Sequence, residues 1–227
     1  MKAWGLVLLF LCQLSYATDS VVTKKIESKP ADTGLHIGFG GAYSFNGLMK
    51  FDPVNVYDST IDEETTAEWN FKNSGAVEVE IRYLNPYSFG FIAGATFDEQ
   101  RRMANAKFTG TTKYWVFYPM IDVNIKITTY YVSAAYRSEE FYFPFGINYA
   151  SVQMNSPTEG FEDMKTSPGD IGWQFGVGYY MTEDIVFELI SRKVSYKLAI
   201  DYPDGTPSIS FGKGGFTSVS LAAKYIF

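Results

Sequence analysis

The chain has 227 residues, a formal net charge of −6 and one cysteine, and it combines 18% aromatic residues with a mean hydropathy of −0.08. The acidic balance argues against nucleic acid as a partner, because that function normally requires a clustered basic face. After residue 17 no apolar run approaches the ~18 residues of a spanning helix, which excludes a helical membrane protein. Many aromatic residues at neutral hydropathy instead favour a transmembrane β-barrel, whose strands alternate apolar and polar side chains.

The first 17 residues have the three parts of a secretory signal peptide. A positive start is followed by an apolar stretch that ends at Leu14 and by a small-x-small cleavage signal at residues 15–17. The single cysteine, Cys12, lies in this segment, so the mature chain is expected to hold no disulfide and no thiolate site. Residues 18–33 have no apolar period and are predicted to form a short periplasmic N-terminal segment.

Residues 34–227 are predicted to form an antiparallel barrel, because apolar and polar positions alternate in segments that end at turn residues. We recognise eight segments, whose outward faces run Leu35 to Tyr43, Val77 to Tyr83, Phe89 to Phe97, Ile121 to Tyr136, Phe141 to Tyr149, Trp173 to Tyr179, Ile185 to Leu189 and Thr217 to Phe227. Short turns are expected on the periplasmic side at 85–88, 137–140 and 181–184, and long external loops at 46–73, 98–120, 152–170 and 199–214. The predicted fold is therefore all-β, an eight-stranded antiparallel up-and-down transmembrane β-barrel.

The fourth segment is irregular. Its first apolar residues, Ile121 to Ile127, share one phase of the alternation, whereas Tyr130 to Tyr136 share the opposite phase. If both groups face outward, a β-bulge must shift the phase near Thr128 and Thr129. The sequence thus predicts a bulge at that point.

The last segment ends on Phe227, with a second aromatic residue, Tyr225, two positions earlier. This ending resembles the insertion signal of bacterial outer-membrane β-barrels, which implies recognition of Tyr225 and Phe227 by the barrel-assembly machinery. A soluble eight-stranded barrel would have the same strand count with its apolar face turned inward. Alternation alone does not separate the two, and the terminal Phe227 favours the membrane barrel and a bacterial outer-membrane location.

Three pieces of the chain carry a family resemblance: residues 143–149, residues 173–185 and the ending 224–227. They resemble the OmpW and the OmpA/OmpX-like families of small outer-membrane barrels. Likeness to OmpW-like proteins implies binding or passage of small hydrophobic molecules. Likeness to OmpX-like proteins implies the alternative, a structural or surface-interaction barrel with a plugged lumen.

Five charged residues face inward by phase: Glu78, Glu80, Arg82, Glu188 and Lys224. An eight-stranded barrel is just wide enough for side chains to fill it, and charges inside it must be paired. We expect an interior salt-bridge network at these positions. The rival interpretation is a gated polar path in which the pairs exchange partners.

Several inward positions are glycine, among them Gly94 and Gly176. Their missing side chains either permit the tight coiling of a small barrel or leave a cavity for a ligand. The second predicted loop is basic through Arg101, Arg102 and Lys107, together with Lys113, which suggests contact with the phosphates of lipopolysaccharide.

The single histidine, His36, is expected near the periplasmic end of the first strand, away from the rim where barrel enzymes place their catalytic residues. No carboxylate pair is arranged for hydrolysis either, since Arg82 continues the row of Glu78 and Glu80. The sequence therefore predicts a barrel without enzymatic activity, metal or other cofactor, whose partners are outer-membrane lipid and a small hydrophobic ligand.

Overall fold

The computed structural model describes residues 34–55, 64–109, 114–117, 122–157, 164–168, 170–200 and 209–227. Their backbone forms strands β1 (His36–Asn55), β2 (Glu64–Phe71), β3 (Ser74–Tyr83), β4 (Ser88–Asp98), β5 (Arg101–Thr109), β6 (Tyr114–Phe117), β7 (Asn124–Arg137), β8 (Phe141–Asn155), β9 (Met164–Pro168), β10 (Gly172–Tyr180), β11 (Ile185–Ile200) and β12 (Ile209–Ile226). In these residues no helix is long and apolar enough to cross a membrane. The predicted signal peptide and the periplasmic segment 18–33 lie outside the described residues.

Eight of the strands close into a ring in the order β1, β3, β4, β7, β8, β10, β11 and β12. Every neighbouring pair is antiparallel, and β12 pairs with β1 from Gly38↔Ile226 onward, so the sheet has no free edge at this seam. The eight-stranded up-and-down barrel predicted from the sequence is confirmed. Residues 84–87, 138–140 and 181–184 form the short turns, close to their predicted positions.

The strands are longer than a membrane requires. β1 has 20 residues and β12 has 18, whereas about 9–11 residues cross the bilayer as a tilted strand. The additional length lies where long external loops were predicted: β2, β5, β6 and β9 all fall in those segments. The prediction of long loops was therefore wrong in part, because the sheet continues beyond the length that a membrane requires. We call this part the extracellular extension, after the side on which the long loops were predicted.

An apolar belt surrounds the half of the barrel that carries the short turns, which we call the lower part. Its side chains point outward and are exposed, as the alternation predicted: Leu35, Ile37, Phe39, Tyr43, Val77, Val79, Ile81, Tyr83, Phe89, Phe91, Phe97, Tyr130, Val132, Tyr136, Phe141, Phe143, Phe145, Ile147, Tyr149, Trp173, Phe175, Phe187, Leu189, Leu221, Tyr225 and Phe227. A contiguous apolar surface of this extent requires an apolar medium around it. The belt fits the hydrocarbon layer of a bilayer, with the polar residues of the same strands turned into the lumen.

The predicted β-bulge in the fourth segment is absent. β7 pairs with β8 without a register shift from Asn124↔Asn155 to Arg137↔Tyr142. Ile125 and Ile127 point inward and are buried. The apolar phase changes because the surroundings change: above the membrane the barrel exterior meets water, so the apolar residues move to the inner face.

Candidate functional site

A buried ion cluster fills the lumen inside the apolar belt. It joins Glu78, Glu80 and Arg82 of β3 to Glu188 of β11 and Lys224 of β12, so the structure brings together the five charged residues that the sequence predicted to face inward. The Lys224 Nζ atom lies 2.8 Å from Glu78 Oε2 and 2.6 Å from Glu80 Oε2, and it also pairs with Glu188. The ammonium group thus occupies the point where the three carboxylates converge, which is the position that a bound metal ion would need.

Arg82 anchors the periplasmic side of this cluster. Its Nε atom donates to Glu80 Oε1 at 2.7 Å, and Nη2 lies 3.0 Å from Glu188 Oε1. The same guanidinium donates to the hydroxyl oxygens of Tyr142 and Tyr180, each at 3.2 Å. Since Tyr142 also donates to Glu188, each charge is held by several hydrogen bonds, as a buried ion needs.

The network continues upward through Arg192, whose Nη2 atom lies 3.5 Å from Glu78 Oε1 and whose Nε donates to Gln174 at 2.9 Å. Gln174 in turn donates to Ser133 at 3.0 Å. The cavity beside these residues measures about 10 Å³, which is space for one water at most. The side chains therefore plug this part of the lumen.

Apolar layers lie on both sides of the ion cluster. Toward the periplasm, the buried residues are Leu84, Ile92, Tyr131, Ala135, Tyr142, Tyr180, Val186 and Ile226. In the extracellular extension, the inner face is packed with Met49, Trp69, Phe71, Met103, Ala106, Val123, Ile125, Ile127, Ala150, Val152, Met154, Val194, Tyr196 and Phe216. The extension thus has a hydrophobic core like that of a soluble protein.

Gly94 and Gly176 do not border open space. A Cβ atom on Gly94 would lie 2.5 Å from the Val79 carbonyl oxygen, and one on Gly176 would lie 2.5 Å from the side chain of Ile190. Of the two explanations offered by the sequence, close packing of neighbouring strands accounts for both glycines, and the alternative of a ligand cavity at these two positions is not supported.

A larger cavity lies instead in the barrel wall, where β1 meets β12. It measures about 380 Å³ and is lined by Gly47, Leu48, Asn70, Phe71, Thr217, Ser218 and Val219. Here the β1–β12 register shifts between Phe45 and Leu48, and β1 exchanges its other neighbour from β3 to β2. The lining combines residues of the inner face with residues of the outer face, so the cavity lies within the wall at the upper edge of the apolar belt. The sequence offered one signal for it, a glycine at residue 47 that breaks the alternation.

Only some of the predicted basic loop residues are available to lipopolysaccharide. Arg101 is buried and pairs with Asp98, so the assignment of this residue to an external loop was wrong. Arg102 is exposed and lies 2.7 Å from Asp122. Lys107 lies 3.7 Å from Glu68, and Lys113 is outside the described residues.

Glu68, on β2 in the extracellular extension, also accepts a hydrogen bond from Lys50 at 2.5 Å. This hydrogen bond lowers the pKa of the Glu68 carboxyl below its ordinary value, so the group stays ionised beside the two lysines. Glu68 thereby links the first predicted external segment to the basic second one, whose strands β2 and β5 pair with each other.

His36 lies at the first position of β1, at the barrel end that carries the short turns. Its Nδ1 atom is 3.1 Å from the carbonyl oxygen of Phe227, and the Phe227 amide donates to the carbonyl of Ile37. The rings of Tyr225 and Phe227 meet edge to face at 4.7 Å on the outer surface. These contacts close the seam between the first and the last strand at its lower end.

Comparison with known proteins places this architecture among outer-membrane barrels. No family model and no curated protein matches the sequence. The solved structure of the outer membrane protein OprG from Pseudomonas aeruginosa matches with a TM-score of 0.51 and 13% identity, covering 85% of this chain and 95% of that one. The outer membrane protein AlkL, determined in lipid bilayers, matches with a TM-score of 0.50 and 16% identity over 88% of this chain and 93% of its own. At such identities the likeness establishes the fold.

Proposed function

From its fold as a small outer-membrane β-barrel, we propose that this protein binds small hydrophobic molecules and passes them between the external medium and the outer leaflet. The proposed role involves no enzymatic activity. The observation that carries it is the cavity of about 380 Å³ in the wall between β1 and β12, which we call the seam cavity. Its volume falls within the range of about 300–1,000 Å³ found for ligand pockets.

The position of the seam cavity supports a sideways route. Val219 belongs to the outward face that continues into the apolar belt, whereas Phe71 is buried on the inner face. An apolar molecule that entered from outside would therefore meet apolar surface on both faces of the wall. The ion cluster below is filled with side chains, which disfavours a vertical path through the lumen.

The test is binding of a fluorescent apolar probe, N-phenyl-1-naphthylamine, to the barrel reconstituted in lipid nanodiscs. We expect saturable binding to the native chain and loss of binding in Leu48→Trp, which fills the seam cavity. The matched control is Leu221→Trp on the apolar belt of β12, which should bind the probe normally. Both variants must retain the gel-mobility shift of a folded barrel.

Ion conductance gives the second measurement. A lumen plugged by paired charges is expected to carry little steady current in planar bilayers. Large, steady currents would contradict the proposal and would favour a gated polar path through the ion cluster. Absence of saturable probe binding by the folded native chain would also contradict it.

One observation favours a second candidate, a surface-interaction barrel. The extracellular extension has its own apolar core, so it presents a stiff sheet surface above the membrane. Such a surface suits adhesion to a partner without any transport. Failure of every apolar probe to bind a correctly folded barrel would favour this candidate.

A further inference from the structure

Arg101, the first residue of β5, is a buried cation with unused hydrogen-bond donors. Its side chain is 1% exposed, and its Nη2 atom pairs with Asp98 Oδ2 at 2.5 Å. Among the described residues, neither its Nε nor its Nη1 atom has a hydrogen-bond partner. Buried polar groups are normally satisfied, so an Arg with two open donors indicates a site that a further acceptor completes.

The open donor Nη1 lies close to Gly47, one of the residues that line the seam cavity. Gly47 lines this cavity, and a Cβ atom built on Gly47 would lie 3.3 Å from Nη1 and 2.7 Å from the ring of Phe216. The Arg101 guanidinium carbon is 5.1 Å from the centre of the same ring. The absence of a side chain at residue 47 therefore lets the guanidinium approach the cavity closely.

The rest of the lining combines apolar side chains with the uncharged polar side chains of Asn70, Thr217 and Ser218. Phe71 lies on the inner side, and Leu48 and Val219 lie toward the belt. A charged group thus lies behind Gly47 at the inner side of the cavity, and apolar side chains lie on the side toward the belt. This arrangement matches a molecule with one polar head and a hydrocarbon tail.

We propose that the seam cavity selects medium-chain carboxylic acids, with the carboxylate accepting hydrogen bonds from Arg101 Nη1 and the tail lying along Phe71, Leu48 and Val219 toward the outer leaflet. The inference rests on the proposed function and specifies its ligand class. A carboxylate is favoured over an uncharged chain because hydrogen bonds between ionised partners are roughly twice as strong as neutral ones. Asp98 stays paired with Nη2 and holds the guanidinium in place.

The experiment measures how well decanoic acid and decane displace N-phenyl-1-naphthylamine from the native barrel in nanodiscs. We expect decanoic acid to compete at least about tenfold better than decane, the factor that a hydrogen bond to a charged group provides. Equal competition by the two compounds, with normal probe binding, would overturn the carboxylate assignment and leave the proposed function standing. Failure of the probe itself to bind would instead contradict the proposed function.

Two variants locate the effect. The double variant Arg101→Met with Asp98→Asn removes both members of the buried pair, so no lone charge remains, and it should lose the preference for decanoic acid while still binding the probe. Gly47→Ala places a methyl group against Phe216 and Nη1 and should weaken decanoic acid binding. The control Gly41→Ala, on the same strand, adds a methyl group with only an ordinary 3.9 Å contact and should change nothing. An unchanged preference in the folded double variant would overturn the role of Arg101.

Discussion

At the scale of single residues, the barrel holds two kinds of ion pair that differ in burial. The pair of Arg82 and Glu80 is almost fully buried, whereas Lys50 and Glu68 form a pair in which Lys50 is 60% exposed. Removing one member of a buried pair leaves its partner uncompensated, which is far more costly than losing a solvated pair. The two pairs therefore provide a matched comparison within one molecule.

Arg82→Ala should lower the free energy of unfolding by roughly 3–5 kcal/mol, because Glu80 and Glu188 lose a buried cation. Lys50→Ala, the exposed control, should cost about 0.2–1 kcal/mol. Urea titration of the reconstituted barrel, followed by tryptophan fluorescence, measures both changes. Similar small costs for the two variants would mean that water fills the lumen around Arg82.

At the scale of the strand, each long strand passes through two surroundings. On β8 the outward face carries Phe141 to Tyr149 in the apolar belt and then Ser151, Gln153 and Asn155 above it. The geometry of the strand is regular throughout, and only the medium outside it changes from lipid to water. The polarity of each face therefore inverts along the strand without any change in register.

This change of surroundings predicts that two outward positions of β8 differ in how well they tolerate a lysine. Phe145→Lys, near the middle of the belt where the native side chain is 66% exposed, should destabilise the barrel by about 2–4 kcal/mol. Gln153→Lys, on the same face above the belt, should stay within about 0.5 kcal/mol of the native chain. Equal costs in lipid vesicles would place the membrane boundary elsewhere.

Because β7 pairs with β8 without a bulge, we can also predict how its part in the extracellular extension responds to mutation. Ile127→Ala should cost about 2–5 kcal/mol, since it removes a buried side chain from the core of the extracellular extension. Lys126→Ala, at the exposed neighbouring position, should cost less than about 0.5 kcal/mol. Thermal unfolding of the two variants distinguishes this arrangement from a bulged strand, in which the two effects would be reversed.

At the scale of the whole molecule, the barrel divides into a membrane part with a polar interior and an extracellular extension with an apolar interior. Exposed cations lie on the exterior just above the apolar belt, and we call this set the basic rim: Lys50, Lys72, Arg102, Lys126, Lys193 and Lys197. We propose that these cations reach the head groups of the outer leaflet. We therefore retain the proposal of lipopolysaccharide contact and move it from the second loop to the basic rim.

The triple variant Lys126→Gln, Lys193→Gln and Lys197→Gln tests this proposal. Each cation near an anionic surface contributes about 1 kcal/mol of attraction. Lipopolysaccharide should raise the melting temperature of the native barrel and should raise that of the triple variant less. In phosphatidylcholine alone, the two proteins should melt together. An equal rise for both in lipopolysaccharide would contradict a role for the basic rim.

The sequence by itself determined the barrel, because inward and outward positions follow from a period of two residues in every strand. Alternation placed the aromatic residues from Phe141 to Tyr149 on one face and charges such as Glu78, Glu80 and Arg82 on the other, and the terminal Phe227 indicated that the aromatic face meets lipid. The short turns were predictable for a similar reason, since residues such as Asn85 and Pro86 favour turns locally. These features depend on neighbours in the chain.

Only the tertiary structure decided the contents of the lumen and the wall. Pairing of Lys224 with Glu80 and Glu188 joins three distant strands, and alternation fixes the face of each residue but not its partners. Whether Ile127 faces inward or outward depends on where the membrane ends along β7. The local sequence pattern carries no information about that boundary. The seam cavity arises where β1 changes partners beside Gly47, so it depends on contacts between the two ends of the barrel sequence and could be located only once the ring had closed.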